Sequence, residues 1–469
     1  MHAIFRSTLL VLALGMSSTA WGQETDRKSR EERRALKMSE VNNQTNMSEA
    51  YRQAAHEKRL ESIGRAKDML SGGALNGDAK AKVQFRLAEM YFEEGRFYYF
   101  NEMQTYQDKY DDCFNGIPKG CDVNKMSPDN TVSRKWQKSA IRLYDGILRN
   151  YPQYQRADEV LFYLGSAYQE IGEPDKAKTQ FVRLTKEYGK SKYLAVAYVQ
   201  IGEYFFDRNK AYEALQAYEN ASKFKNDSNY GFAVYKLSWC YYNVGEYDAA
   251  IEGMKTVVRY SQVMQQSGDG SSVMLQDEAL KDLVRFFADA GDMQEAENYF
   301  RSLGKVELYN KMLKRLAKMY FEQGKFELSV TTYRKLIAEN ADSPEAPNFQ
   351  NEIINAFQKM NEKEQTLNEI QKLLKNYGKN SPWAAKNSAS PDAVRKAQNY
   401  VEDALRRVAV NYNEEAKKLG SGKQAQNTYL LAEKAYRVYL REFPNGKNSY
   451  DMEYAFAELI YNLAEKGRF

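Results

Sequence analysis

The stretch Leu161-Phe-Tyr-Leu164-Gly165-Ser-Ala-Tyr168-Gln-Glu-Ile-Gly172-Glu-Pro-Asp-Lys-Ala177-Lys-Thr-Gln-Phe181-Val-Arg-Leu184 decides the fold. Its apolar residues fall at helical spacing on both sides of Gly172-Glu173-Pro174, so it reads as a helix, a tight turn and a second helix. The same arrangement returns in Val234-Tyr-Lys-Leu237-Ser238-Trp-Cys-Tyr241-Tyr-Asn-Val-Gly245-Glu-Tyr-Asp-Ala-Ala250-Ile-Glu-Gly-Met254-Lys-Thr-Val257. It returns again in Leu316-Ala317-Lys-Met-Tyr320-Phe-Glu-Gln-Gly324-Lys-Phe326-Glu-Leu-Ser329-Val-Thr-Thr-Tyr333-Arg-Lys-Leu336. Small residues at Gly165, Gly202, Ser238 and Ala317 let the first helix of each pair approach its neighbour. Ala177, Ala214, Ala250, Ala296 and Ala432 do the same in the second, and Tyr168, Phe205, Tyr241, Phe287 and Tyr320 fill the space between. Gly172, Gly245, Gly291 and Gly324 can take the positive φ that ends a helix.

This pattern resembles the tetratricopeptide-repeat (TPR) family, with its Leu-Gly/Ala-x-x-Tyr, Gly, Ala and Phe/Tyr positions. The resemblance covers roughly residues 81–469 and implies an all-α, TPR-type α-solenoid of stacked antiparallel helix pairs. No period-two strand pattern competes with it. The register predicts a first helix over about 81–95, ending at Gly95, and a return helix over about 134–150, with an insertion of about 98–133 between. Units follow at about 157–190, 194–226, 231–260, 277–304, 309–340 and 346–378, the last degenerate. The polar stretch 261–274 reads as a loop and 379–392 as a Pro/Ser/Asn-rich break, ahead of helices at about 392–419 and 425–442. The predicted domains are a signal peptide (1–22), a flexible polar leader (23–48), an N-terminal helical segment (49–80), the solenoid (81–378) and C-terminal TPR-like helices (379–469). The stretch 455–469 reads as a first helix and its turn, so the chain breaks off mid-repeat. The apolar side of Leu459 and Leu463 would then be open, to be covered by a longer native chain or by another protein.

Arg6, the apolar run Leu9–Leu14 and Ala20-Trp21-Gly22 make a secretory signal with cleavage before Gln23. The run is too short to span a bilayer, which takes about 20 helical residues. No Cys follows the cleavage site, so a lipoprotein anchor has no support. The expected location is the periplasm. The 68 basic and 63 acidic residues are interspersed, without the basic stripe that nucleic acid needs. Cys113 and Cys121 flank a Gly/Pro loop. In an oxidising compartment a disulfide would close it, and otherwise the two remain free thiols. Cys240, among aromatics in a helix, reads as an inert buried residue.

No catalytic, cofactor or metal site is expected. After the signal, His56 is the sole histidine, on a helix around Tyr51–Leu60 that reads as solvated. One His and a loop Cys pair fall short of the roughly four ligands of a zinc site. Gly420-Ser421-Gly422-Lys423 lacks phosphate-loop spacing and reads as a turn.

The family's register places Phe162, Tyr163, Glu203, Phe206, Tyr235, Trp239, Tyr242, Arg285, Lys311, Lys314, Lys318 and Phe321 on the inner face of the first helices, as a partner-binding groove. Its front half is aromatic and its back half basic. The alternative is that the aromatics seal neighbouring helices and the lysines form a solvated face. TPR clamps for acidic chaperone tails use Lys and Asn in a first repeat, Asn in the next, and a Lys and Arg pair in the third. Lys311 and Arg315 match the last pair, but Tyr235, Trp239 and Asp282 occupy other key positions, so such a clamp is not expected. The resemblance is to bacterial envelope TPR proteins: outer-membrane assembly subunits, the cell-division coordinator, and TPR subunits of the myxobacterial adventurous gliding machinery. The long Tyr-rich repeats and the insertion point to the last. The implied function is a non-enzymatic protein-interaction scaffold in an envelope complex, binding envelope proteins or peptide segments. The alternatives are an assembly or chaperone module for outer-membrane proteins, and the helical arm of a larger peptidoglycan-active enzyme.

Overall fold

The computed structural model describes residues 50–266, 271–290 and 292–465. The expected signal and polar leader, Gly291 and the turn after residue 465 lie outside the described residues. Among those described there is no strand, and no helix is long and apolar enough to cross a membrane. The chain is all-α, built of paired helices that stack on one another within two compact units divided at Gln276.

The first unit holds α1 (50–71), α2 (Gly77–Phe114), α3 (Thr131–Asn150), α4 (Ala157–Glu170), α5 (Pro174–Glu187), α6 (Leu194–Phe206), α7 (Ala211–Ala221), α8 (Tyr230–Asn243) and α9 (Tyr247–Gln266). The division falls inside α10 (Ser271–Ala290). The second unit continues with α11 (Met293–Ser302), α12 (Val306–Glu322), α13 (Phe326–Glu339), α14 (Ala346–Lys359), α15 (Lys363–Tyr377), α16 (Pro382–Lys386), α17 (Pro391–Leu419), α18 (Lys423–Glu442) and α19 (Ser449–Glu465).

The turns have a common chemistry. Gly172, Gly245 and Gly324 adopt φ of 78°, 86° and 75°. Asn209 and Asn361 occupy the same turn position with φ of 56° and 58°. Asparagine tolerates the left-handed region, so these two turns lack the glycine that marks the others in sequence. Pro174 then begins α5, where its missing N–H costs nothing.

Two pairs, α4–α5 and α6–α7, close through a missing side chain. A Cβ on Gly165 would lie 2.7 Å from the Phe181 ring, and one on Gly202 would lie 2.6 Å from Tyr218. Phe181 and Tyr218 are buried, so the large ring of the second helix rests on the backbone of the first. Pairs are then joined by tyrosine hydroxyls donating to carboxylates of a neighbouring helix. Tyr168 reaches Asp145 at 3.1 Å, Tyr193 reaches Glu159 at 2.6 Å, and Tyr241 reaches Glu219 at 2.9 Å. In the second unit such bonds lie within a pair: Tyr309 reaches Glu339 at 2.8 Å and Tyr439 reaches Glu402 at 3.0 Å. A cation often completes the group. Arg208 lies 3.8 Å over the Tyr204 ring while Tyr204 donates to Asp175, and Arg301 lies 4.6 Å over Tyr309 and pairs with Glu339.

The structure corrects five expectations. The helix does not end at Gly95. It runs on to Phe114, because Gly95 is a close-approach site against the Gln137 side chain rather than a turn. Much of the insertion is thus helix, and α3 begins where Glu102 accepts from the N–H groups of Val132 and Ser133 at 2.9 and 3.1 Å. The segment 261–274 is not loop throughout, since α9 extends to Gln266 and α10 starts at Ser271. The break at 379–392 contains α16, whose buried Trp383 donates its indole N–H to the Ser343 carbonyl at 2.9 Å. Leu459 and Leu463 are buried against the core of α17 and α18, so α19 turns its apolar side inward.

The fifth correction is His56. It is 8 % exposed, with Nδ1 2.8 Å from Glu94 and its ring stacked 4.2 Å from Phe97. Arg59 donates to the other Glu94 oxygen at 2.5 Å. Glu94 itself is fully buried, and side chains of α1 engage both of its carboxylate oxygens.

Cys113 and Cys121 are joined in a disulfide, with Cα atoms 5.5 Å apart, across the loop that follows α2. Cys240 is fully buried, and burial pushes its thiol up to about 12.

Gly165→Ala and Gly202→Ala should each destabilise the protein by about 1–2 kcal/mol, overpacking outweighing the gain in helix propensity. Gly146→Ala is the control: nothing lies within 4 Å of its Cβ position, and a small gain is expected. Thermal melts in which all three variants gain equally would show that close approach does not limit the fold. For the loop, mass spectrometry of protein from its native compartment, alkylated without reductant, should find Cys113 and Cys121 unmodified and linked; two alkylated thiols would be the contrary result.

Candidate partner-binding surface

The twelve residues predicted for a groove divide between the units. Phe162, Tyr163, Glu203, Phe206, Tyr235, Trp239 and Tyr242 belong to the first; Arg285, Lys311, Lys314, Lys318 and Phe321 belong to the second. Each set is described on its own.

In the first unit, α4 holds its pair in the stack. Phe162 lies face to face with Tyr193 at 4.5 Å, and Tyr163 packs among Phe85, Phe92 and Tyr144 at 5.7–6.1 Å. Burial, aided by the charges of Glu89, Glu159 and Glu93, pushes the Tyr163 phenol up to about 12, so it stays neutral. Both rings are half-buried and in contact with aromatic rings of neighbouring segments.

Glu203 and Phe206 share a polar and aromatic contact with α8. Lys236 is buried, with Nζ 3.0 Å from Glu203 and 4.7 Å from the centre of the Phe206 ring. Tyr218 also donates its hydroxyl to Glu203. The sequence reading missed Lys236, because a lysine one residue beyond a groove position looks like a solvated side chain. Its four-carbon stem passes the apolar ring to reach the acid.

Beyond that contact, α8 presents Tyr235, Trp239 and Tyr242 at spacings of four and three, which puts them on one helix face. All three are half-buried. Trp239 meets Tyr242 edge-to-face at 5.4 Å, and Tyr242 meets Tyr247 at 5.6 Å. Tyr247, the first residue of α9, is 39 % exposed. It too was missed, because it begins the second helix of its pair, outside the register used for the groove. The result is a run of aromatic rings fixed by mutual contact, with part of each ring open.

In the second unit, Lys311 is exposed, with no carboxylate in ion-pair range among the described residues, and Arg285 is exposed. Lys314 pairs with Glu345 at 2.5 Å, Lys318 with Glu322 at 3.6 Å, and Phe321 meets Phe326 at 5.4 Å. Two of the lysines are therefore engaged on the surface, where such pairs contribute about 0–1 kcal/mol. Among the described residues, no group of three or more His, Cys, Asp or Glu side chains is arranged to hold a metal ion.

Two segments, residues 159–191 and 313–343, match the model of the tetratricopeptide repeat. The chain thus carries this repeat in both units, and tetratricopeptide-repeat proteins generally mediate protein–protein interaction. Solved structures that it resembles include the MamA protein (22% identity, 42% of this chain and 91% of that one, TM-score 0.29). BtubC from P. vanneervenii is 14% identical over 56% of this chain and 90% of that one, with a TM-score of 0.37. The C-terminal part of a TPR repeat-containing protein from Cytophaga hutchinsonii is 13% identical over 67% of this chain and 94% of that one, with a TM-score of 0.26. No curated protein matches the chain.

Lys236→Met should cost about 3 kcal/mol, by leaving Glu203 short of its cation in a largely desolvated site. Glu203→Gln combined with Lys236→Met should recover most of that loss. Denaturant melts showing an additive loss in the double variant would mean that the two residues are not coupled.

Proposed function

We propose that this chain is a non-catalytic protein-binding scaffold of a bacterial cell-envelope complex, with the Tyr235–Trp239–Tyr242 face and Tyr247 as its docking surface in the first unit. The observation that carries the reading is the half-open run of rings on a repeat whose relatives bind proteins. Rigid Trp and Tyr side chains offer large contact area at low entropic cost, which is why they recur as binding anchors. The occupant is a segment of another envelope protein that supplies apolar side chains to this run. The periplasmic location rests on the signal-like first 22 residues and is supported by the bonded Cys113–Cys121 pair. Among envelope machineries we favour gliding motility, whose TPR subunits the Tyr-rich repeats and the insertion resemble.

Fractionation of native cells tests the location. The mature chain should begin at Gln23 and leave with the periplasm, whereas a cytoplasmic protein retaining Met1 would refute export. Co-purification of the mature chain from its native envelope tests the complex. Motility components are the expected companions, and unfolded outer-membrane proteins bound through extended segments would favour an assembly role instead. Trp239→Ala with Tyr242→Ala should weaken capture of the partner by about 2 kcal/mol or more, as anchors do. A circular dichroism melt on the same variant separates the two roles of these rings. Unchanged binding at unchanged stability excludes the surface, and a large fall in melting temperature would make the rings core residues.

A further inference from the structure

The last described helix, α19, carries a stripe of rings on its outer face. Tyr450 is 80 % exposed and Tyr454 is 70 % exposed. Four residues apart, they stand one above the other, and the small Ala457 follows on the same face. The opposite face holds Met452, Leu459 and Leu463 in the core, so the orientation of α19 is set by burial. Glu453 flanks the tyrosines on one side and Asp451 on the other, both exposed. Neither acid has a cation within ion-pair range among the described residues, and no cation lies over either ring. The helix Ser449–Glu465 contains no lysine or arginine.

Elsewhere the chain shows what such a set of groups binds. Tyr204, Asp175 and Arg208 form one cluster: the ring lies under the guanidinium, and the carboxylate takes the phenol hydrogen. Tyr309, Glu339 and Arg301 form a second, and Tyr193, Glu159 and Lys192 a third. In each, a tyrosine and a carboxylate are completed by a cation. At Tyr450 and Tyr454 the rings and the carboxylates of Asp451 and Glu453 stand side by side without such a hydrogen bond, and no cation of the described residues reaches them; the cations that meet α19 go to Phe456 and Glu458.

We propose that the Tyr450–Tyr454 face of α19 is a second docking surface, which binds a segment of a partner protein carrying arginine or lysine about one helical turn apart. The two rings are separated by about 6 Å along the helix. Cations at that spacing place one charge over each ring, with Asp451 and Glu453 alongside. Ring and carboxylate act together, since both attract a cation and the ring also tolerates its apolar stem. The acidic character of this helix disfavours a second copy of itself in the same place, because two copies would set Asp451 and Glu453 against their equivalents. The inference goes beyond the scaffold reading: it lies in the other unit and uses none of the Trp239 surface.

The test uses the mature chain and two helix-forming probe peptides, one with arginines at every fourth position of one face and one with glutamines there. Titration calorimetry should show the arginine peptide binding, more weakly at high salt, and the glutamine peptide binding at least about tenfold less well. Tyr450→Ala with Tyr454→Ala should weaken the arginine peptide by about tenfold, two ring contacts being lost. Asp451→Asn with Glu453→Gln should reduce both the affinity and its salt dependence. Trp239→Ala with Tyr242→Ala should leave this titration unchanged, so failure here and failure of the scaffold reading are distinguishable. The altered tyrosines are exposed, and a circular dichroism melt confirms folding in each variant. Equal binding of the two peptides, binding of neither, or indifference to the tyrosine pair would overturn the proposal. So would sedimentation showing that the chain self-associates through Tyr454.

Discussion

At Gly165 and Gly202 there is no room for one more carbon, and the packing of the α4–α5 and α6–α7 pairs depends on that. With a hydrogen in place of a methyl, Phe181 and Tyr218 rest on the backbone of the preceding helix, and the two helices approach closely enough to share a core. A pair closed in this way has a fixed rotation about each helix axis. In the α8–α9 pair the close approach is Gly253 against Ser238, and the orientation of α8 leaves Trp239 and Tyr242 half-open. Surface chemistry here follows from a steric condition on the buried side.

Packing alone would be met by phenylalanine. The 36 tyrosines against 22 phenylalanines point to a second requirement. Closely stacked helices trap carboxylates, and a trapped carboxylate needs donors. Tyrosine fills the volume and supplies an O–H, as Tyr193 does for Glu159. Where the acid is more deeply placed, cations join. Glu297 and Glu369 would be raised by burial, yet Lys335 and Arg301 around the first, and Lys372, Gln350 and Arg334 around the second, bring both below the usual carboxylate range. The sign follows: these acids add stability above the ordinary carboxylate range, and it is lost as the pH falls through their lowered values. Arg334 and Lys335, adjacent on α13, serve different carboxylates and so tie α13 to both α11 and α15.

Much of this was legible in the sequence. Glycine and alanine at repeat spacing, with aromatics between, specified the helix pairs, because those residues answer to local geometry. Legibility failed where a residue type serves two conditions. Gly95 sits at the turn position of its repeat, but close approach to Gln137, not a turn, is what its missing side chain allows. Asn209 and Asn361 make turns without the expected glycine. His56 looked solvated because its neighbours Tyr51 and Glu57 are, and nothing local reveals that a buried Glu94 lies 38 residues on. The groove was legible as a set of positions and not as a surface. Phe162 and Tyr163 are half-buried and also pack on Tyr193 and Tyr144, while Tyr247, from the following helix, joins the run of α8. Periodicity identifies a face, but which part of it is covered is a tertiary matter.

The burial of His56 also bears on acidity. Imidazole is the side chain whose ordinary titration falls between roughly pH 5 and 8. This chain has two histidines, one of them in the first 22 residues and the other enclosed with Glu94 and Phe97. The described surface therefore presents no imidazole, and its charge is carried by carboxylates, ammonium groups and guanidinium groups, whose usual titration lies outside that window. Mild acidification then acts on that surface chiefly through acids raised by burial, such as Glu170 and Glu89. Ionic strength is then the main solution variable to which the charged contacts of the described surface respond.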